Sequence, residues 1–221
     1  FISLIFVEKV RATVVIINAT DDAGGYKVGH ILSTNLIATT AATMRAGDDG
    51  TGKKYRSFID FNISIIPIGV TINNVILNLT LQTDDGSNDN IYGLNTTSSN
   101  WTNSELYAAC GGGAGATTYL TNDASWNTAG INTPMIVDLG VNASANLTNK
   151  LGSYWFSICI QSTDEADTAF QAFYTSNQST DQSRASIPQL IVNYTTAASN
   201  TAPYNITLNY PTNNSQVNNT N

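Results

Sequence analysis

The stretch Val70-Thr71-Ile72-Asn73-Asn74-Val75-Ile76-Leu77-Asn78-Leu79-Thr80-Leu81 decides how this chain folds. Apolar and polar residues alternate along it, and a period of two marks a β-strand with one face in a core and one in water. Tyr55-Arg56-Ser57-Phe58-Ile59-Asp60-Phe61 alternates in the same way, and Thr13-Val14-Val15-Ile16-Ile17 is a short β-branched run. Further strands are expected at 90–94, 135–139, 153–160, 169–175 and 189–194, with turns at 47–52, 84–90 and 111–115. The one helical turn expected is 142–151, short and rich in Asn. Many short strands between polar turns predict an all-β chain, a β-sandwich of jelly-roll kind.

The two ends read differently from the middle. Phe1-Ile2-Ser3-Leu4-Ile5-Phe6-Val7 is apolar on both faces and is followed by Glu8, Lys9 and Arg11. It is too short for a membrane span, which needs about 20 apolar residues. It reads either as the tail of a signal-peptide core or as an extension strand that must find a groove in its own domain or in a neighbour. Around 196–202 the composition turns linker-like. Pro203-Tyr204-Asn205-Ile206-Thr207-Leu208-Asn209-Tyr210-Pro211 then resembles the first strand of an immunoglobulin-like module, or a tail strand. The expected organisation is an extension strand over 1–11, a sandwich over 12–196 and a linker with an extra strand over 197–221.

Composition points to the outside of a cell. Asn-x-Ser/Thr sequons begin at Asn18, Asn62, Asn78, Asn95, Asn100, Asn142, Asn146, Asn177, Asn193, Asn205, Asn213 and Asn218, and none carries Pro in the middle. Chance pairing in so Asn-, Ser- and Thr-rich a chain gives roughly 6, about half the number present. The excess marks a chain that passes a glycosylation machinery, with covalent N-glycans as its partners. Charged residues make up only 11% of the 221 positions, against about 25% in ordinary soluble domains. Amides, hydroxyls and sugars must therefore hydrate its surface. A density of sequons with so few charges leans toward an archaeal surface, although other exported proteins fit it too. The net charge of −7 excludes a nucleic-acid binder, because no basic stripe exists to neutralise phosphates. The tight basic group Lys53, Lys54 and Arg56 reads as a solvated strand entrance. Cys110 and Cys159 are an even pair. They are compatible with a disulfide in an exported chain, or with Cys159 as a small buried hydrophobe.

Several segments, taken in order, resemble DNRLRE-type modules, a family that includes repeats related to the archaeal disaggregatase. The opening is carried by Tyr55-Arg56-Ser57-Phe58-Ile59-Asp60-Phe61, the turn Ile66-Pro67-Ile68-Gly69 and the strand Ile72-Asn73-Asn74-Val75-Ile76-Leu77. Next come Trp101 with Glu105, then Gly115-Ala116-Thr117-Thr118-Tyr119 with Ser125-Trp126-Asn127-Thr128-Ala129-Gly130. The closing match is Phe173-Tyr174-Thr175-Ser176, Arg184 and Pro188-Gln189-Leu190-Ile191-Val192-Asn193-Tyr194. The likeness covers roughly 12–196, departs where Asn74 stands for the family's Ala, and leaves 1–11 outside. It implies a carbohydrate-binding-like jelly roll.

Chemistry-bearing residues are sparse. His30 is the only histidine, it sits beside Gly29 with no nucleophile elbow in the chain, and no Cys/His metal spacing exists. Asp60, Glu105, Asp138, Asp164 and Glu165 are the carboxylates from which a glycosidase acid and base could be drawn, but their spacing does not require it. The chain is read as not an enzyme and as needing no cofactor. Asp84-Asp85-Gly86-Ser87-Asn88-Asp89-Asn90 is rich in oxygen ligands and suits structural calcium through Asp84, Asn88 and Asp89. Its phase is not that of an EF-hand, and like Asp48-Asp49-Gly50 it is equally ordinary turn chemistry. Trp101, Tyr107, Tyr119 and Trp126 fall in one long connection with Asn100, Asn103 and Glu105 nearby. They read either as a platform for a glycan ligand or as the small core a long loop needs.

Two functions follow. One is an extracellular structural or adhesive subunit, glycosylated and assembled head to tail into a filament. Its apolar residues Phe1, Ile2, Leu4, Ile5, Phe6 and Val7 would add a strand to the next copy. The alternative is a carbohydrate-binding module of a larger secreted or surface protein. The first is preferred, because so apolar a strand is an aggregation hazard without a partner.

Overall fold

The alternation of 70–81 is realised in a long strand, β6 (Thr71–Thr83). Val75, Leu77, Leu79 and Leu81 are buried, whereas Asn74, Ile76 and Asn78 are half-exposed. Ile72 is buried as well, although it stands three residues before Val75. The pairing with the final strand explains it. Asn193 lies opposite Asn74 and Tyr194 opposite Ile72, so Asn73 is an extra residue and the strand bulges there. The bulge returns Ile72 to the core side.

The structure, a computed structural model, describes residues 10–19, 27–39, 43–126, 130–166, 170–175 and 187–196. The assembly strand expected over 1–7, the segment 197–221, and Asn177, Asn205, Asn213 and Asn218 lie outside these residues. Val10–Ala197 is a unit in its own right. Its strands are β1 (Ala12–Asn18), β2 (Val28–Leu32), β3 (Ile37–Ala38), β4 (Thr43–Asp48), β5 (Lys54–Asn62), β6, β7 (Asp89–Leu94), β8 (Ala116–Asp123), β9 (Pro134–Asp138), β10 (Trp155–Ser162), β11 (Phe170–Tyr174) and β12 (Gln189–Thr195). The helices are α1 (Asn103–Ala109) and α2 (Gly140–Lys150).

The fold is all-β and antiparallel. The order runs β1-β12-β6-β11-β4-β5-β10-β7-β8, with β2 on β5, β3 on β2 and β9 on β6. β6 changes partner along its length, pairing β12 through Asn78 and β11 at Leu81 and Thr83. The sheet curls, so side chains from its two arms meet in one core. Val75, Leu77, Leu79, Leu190 and Val192 come from one arm, and Ile59, Phe61, Ile91, Phe156, Ile158 and Ile160 from the other. Ala143 and Leu147 of α2 join the same core.

The strands β5, β10 and β7 are buried on both faces. Their outer side carries Phe58, Tyr92 and Cys159, which pack with Leu106, Ala109 and Cys110 beneath α1 in a second cluster. The connection expected over 101–126 is therefore not one long loop. It folds as a cap containing α1, followed by β8 along β7. Thr102 caps α1 in reciprocal fashion: its Oγ1 accepts from Glu105 N, and the Glu105 carboxylate accepts from Thr102 N.

Candidate functional site

A stripe of exposed and half-exposed apolar side chains lies on the outer face of β1, β12, β6 and β9. Cross-strand pairing places Ile16 beside Ile191, Ile191 beside Ile76, and Val14 beside Asn193. Val14 is 62% and Ile16 57% exposed, and Ile136 on β9 is 59% exposed. Strand β1 pairs only with β12 among the described residues. Its sequence, Ala-Thr-Val-Val-Ile-Ile-Asn, carries no Lys, Pro or bulge of the kind that normally protects a sheet edge.

Amide side chains frame that apolar stripe. Gln189 Nε2 donates to Asn18 Oδ1 at 3.0 Å, and Asn78 Nδ2 donates to Gln189 Oε1 at 2.9 Å. Asn193 Oδ1 accepts from Asn73 Nδ2. Eight sequon asparagines are described: Asn18, Asn95, Asn100 and Asn142 are exposed, while Asn62, Asn78, Asn146 and Asn193 are half-exposed. The inward neighbours Ile63, Leu79 and Tyr194 are buried, so Asn62, Asn78 and Asn193 point away from the core.

The four aromatics do not form a platform. Trp126 is fully buried and packs edge-on against Phe173 at 5.4 Å. Tyr119 is buried and stacks on Phe156 at 5.9 Å. Gly93 makes room for it, because a Cβ there would strike the Tyr119 hydroxyl. Both belong to the main core, which corrects the glycan-binding expectation for Tyr119 and Trp126. Trp101 and Tyr107 pack against the second cluster under the cap. The Arg56 guanidinium lies 4.0 Å over the Tyr107 ring, and Gly115 passes so close to Trp101 that a Cβ would come within 2.5 Å of Cη2.

The cap is fastened at three points. Cys110 and Cys159 are joined by a disulfide with Cα atoms 5.0 Å apart, so Cys159 is not a free thiol. Arg56 reaches from β5 to donate to the Tyr107 carbonyl at 2.6 Å, and its Nε and Nη2 donate to Glu165 at 2.7 and 2.9 Å. It is a half-buried clamp rather than part of a solvated basic cluster. Asp60, fully buried on β5, accepts from Ser98 Oγ at 2.6 Å, Ser157 Oγ at 2.5 Å and Lys27 N at 3.2 Å. Burial pushes the Asp60 carboxyl above its usual range, and the hydroxyls of Ser157 and Ser98 pull against that.

The carboxylates weighed for catalysis are thereby spread over separate structural tasks. Asp60 and Glu165 secure the cap and Glu105 caps α1. Asp138 accepts from Gly140 N at the start of α2, and Asp164 accepts from Ala166 N in its own turn. His30 is buried edge-on to Tyr55 at 5.2 Å. A shallow cleft of about 260 Å³ lies over Asn73, Asn74, Asp138 and Ser144 on the sequon-bearing face.

The acidic turn before β7 divides along different lines from those expected. Asp84 Oδ1 accepts from Gly86 N, and Asn88 Nδ2 donates to Asn122 Oδ1. Asp89 is fully buried, and neither of its carboxylate oxygens has a hydrogen-bond partner. Burial pushes the Asp89 carboxyl well above its usual range, so that it holds its proton more tightly, and the neighbouring charges of Asp85, Asp123 and Asp84 reinforce this. No group of three Asp, Glu, His or Cys side chains is preassembled for a metal among the described residues. Nothing in the sequence pattern distinguishes Asp89 from its neighbours in the turn.

No protein-family model matches this chain, and no curated protein is significantly similar to it.

Proposed function

We propose that this chain is a non-catalytic, N-glycosylated extracellular module built on a jelly-roll β-sandwich. It assembles into a head-to-tail filament by strand addition. The observation that carries the reading is the β1 edge, seven residues long, with no Lys, Pro or bulge to protect it and with Val14 and Ile16 exposed beside it. Such an edge pairs with an added strand through main-chain hydrogen bonds, while alternate side chains bury against its face. The sequence supplies an occupant in Phe1-Ile2-Ser3-Leu4-Ile5-Phe6-Val7 of a second copy. A strand passed from one copy to the next is a heterologous contact that does not close, so it propagates. The antiparallel all-β order of the strands and the resemblance of several motifs to DNRLRE-type modules support the jelly roll. The sequon excess supports the extracellular address. The carbohydrate-binding alternative has lost Tyr119 and Trp126 to the core.

Deleting residues 1–8 from the full chain tests the proposal, read by electron microscopy and by sedimentation. Loss of polymers is expected, together with their return when a peptide of sequence FISLIFVE fused to a second copy is supplied. Filaments unchanged by the deletion would sink the reading. A companion variant, Ile16→Lys, places a charge beside the receiving edge without altering the donor, and it is expected to slow assembly while leaving the monomer folded.

A further inference from the structure

Asp89 opens β7 with a side chain that is wholly shielded from water. Both of its oxygens lack a hydrogen-bond partner, and so does the shielded Oδ2 of Asp85. Asp123, its cross-strand neighbour on β8, adds a third carboxylate, whose Oδ1 accepts from Ser125 N. An ionised carboxylate buried alone costs several kcal/mol, so such a group takes up a proton, pairs with a cation or binds a metal. The chain offers no Lys, Arg or His to Asp89 as an ion-pair or hydrogen-bond partner among the described residues. Asp60, likewise wholly buried, receives hydrogen bonds from Ser98, Ser157 and Lys27, and the buried Asp48 accepts from Gly50 N. Those carboxylates are satisfied by the protein, and Asp89 is not.

We infer that Asp89, Asp85 and Asp123 hold a calcium ion between the 84–89 turn and the β7–β8 pair. The ligand class follows from the donors. Every side chain offered is a hard oxygen, and an irregular set of carboxylates completed by main-chain oxygens and water suits the variable coordination of Ca²⁺. The strict octahedron of Mg²⁺ and the nitrogen and sulfur ligands of Zn²⁺ do not fit. The ion neutralises the mutual repulsion of three acids and fixes the start of β7, where Ser162 of β10 and Asp123 of β8 both pair with Asp89. The ligand set differs from Asp84, Asn88 and Asp89 as read along the sequence, because Asp89 and Asp85 carry the shielded oxygens without a partner and Asp123 is paired across from Asp89, whereas the Asn88 amide donates to Asn122.

The test is calcium binding by the full chain, measured by equilibrium dialysis with radioactive calcium and by thermal unfolding. One ion per chain is expected, with an unfolding midpoint raised by about 5 °C or more when calcium exceeds its dissociation constant a hundredfold, reversed by chelator. Asp89→Asn should abolish both effects while leaving the chelated protein at least as heat-stable as wild type. Asp85→Asn serves as a second variant should the first not fold. Asp49→Asn, in the separate 47–52 turn, should keep the full response. Folded wild type that neither binds calcium nor shifts its midpoint would overturn the site. So would an Asp89→Asn protein that responds like wild type, or magnesium acting as strongly as calcium.

Discussion

The imidazole of His30 sits inside β2 with only 6% of its surface exposed, and its Nδ1 has no hydrogen-bond partner. Burial above all, helped by the charge of Arg45 and opposed by a hydrogen bond with the Thr43 backbone, lowers its pKa to about 4. The folded value thus lies below the 6.5 of an unfolded histidine. The unfolded chain takes up a proton that the folded chain refuses. Stability from this residue is full above pH 6.5 and is lost as pH falls toward 4, by roughly 3 kcal/mol once below both values. Urea melts of wild type and His30→Gln at pH 7 and 4.5 isolate the effect, since the shifted carboxyl of Asp60 is common to both proteins. Wild type should lose about 2–3 kcal/mol more than the variant over that interval; equal losses would refute the assignment. Little of this was legible in the sequence. His30 stood out only by being alone, and its burial comes from β2 lying between β3 and β5.

Among the elements, the cap over β5, β10 and β7 depends most on specific fastenings, because α1 is only seven residues long and cannot be stable by itself. The disulfide closes a segment of 49 residues. On the loop-entropy model such a closure is worth roughly 3–4 kcal/mol. Replacing Cys110 and Cys159 together by Ser should therefore lower the unfolding free energy by about that amount. Limited proteolysis of the variant should cut first between Asn95 and Gly115, whereas cleavage elsewhere would mean the cap is held by Asp60 and Arg56 alone. The strands with clean alternation or β-branched runs, β1, β5, β6, β9, β10, β11 and β12, were readable in advance because one chemical pattern dictates each. β2, β4 and β8 were not. Val-Gly-His-Ile-Leu and Thr-Met-Arg-Ala-Gly-Asp show no period because both faces are largely covered, so burial erases the alternation. β8, Ala-Thr-Thr-Tyr-Leu-Thr-Asn-Asp, follows the glycines of 111–115 and is largely polar, so no apolar period marks it. The signal for α1, Thr102 followed by Glu105, was present in the sequence as a capping box, but its brevity masked it.

At the scale of the molecule, the sequons at Asn18, Asn78 and Asn193 share the β1–β12–β6 sheet with the open edge and must leave room for an added strand. A glycan is attached through Nδ2, so an asparagine whose Nδ2 already serves a buried partner resists modification more than one that uses only its oxygen. Asn146 donates at 2.7 Å to the hydroxyl of Tyr119, which sits in the core, and Asn78 donates to Gln189 with its own Oδ1 shielded from water. Asn18, Asn62 and Asn193 are placed otherwise: each accepts a hydrogen bond through Oδ1, from Gln189 Nε2, Ser64 N and Asn73 Nδ2. Occupied sites at Asn18 and Asn193 would stand on either side of the Ile16–Ile191–Ile76 stripe without covering it, so a sugar coat and an added strand beside β1 are sterically compatible. The expected outcome, in a host that attaches N-glycans, is high occupancy at Asn18, Asn62 and Asn193 and low occupancy at Asn78 and Asn146. Glycopeptide mass spectrometry reads this directly. Equal occupancy at all five would show that folding does not select the sites. Full occupancy at Asn146 would require the buried Tyr119 hydroxyl to lose its partner, which the tight packing of that ring against Phe156 and Gly93 argues against.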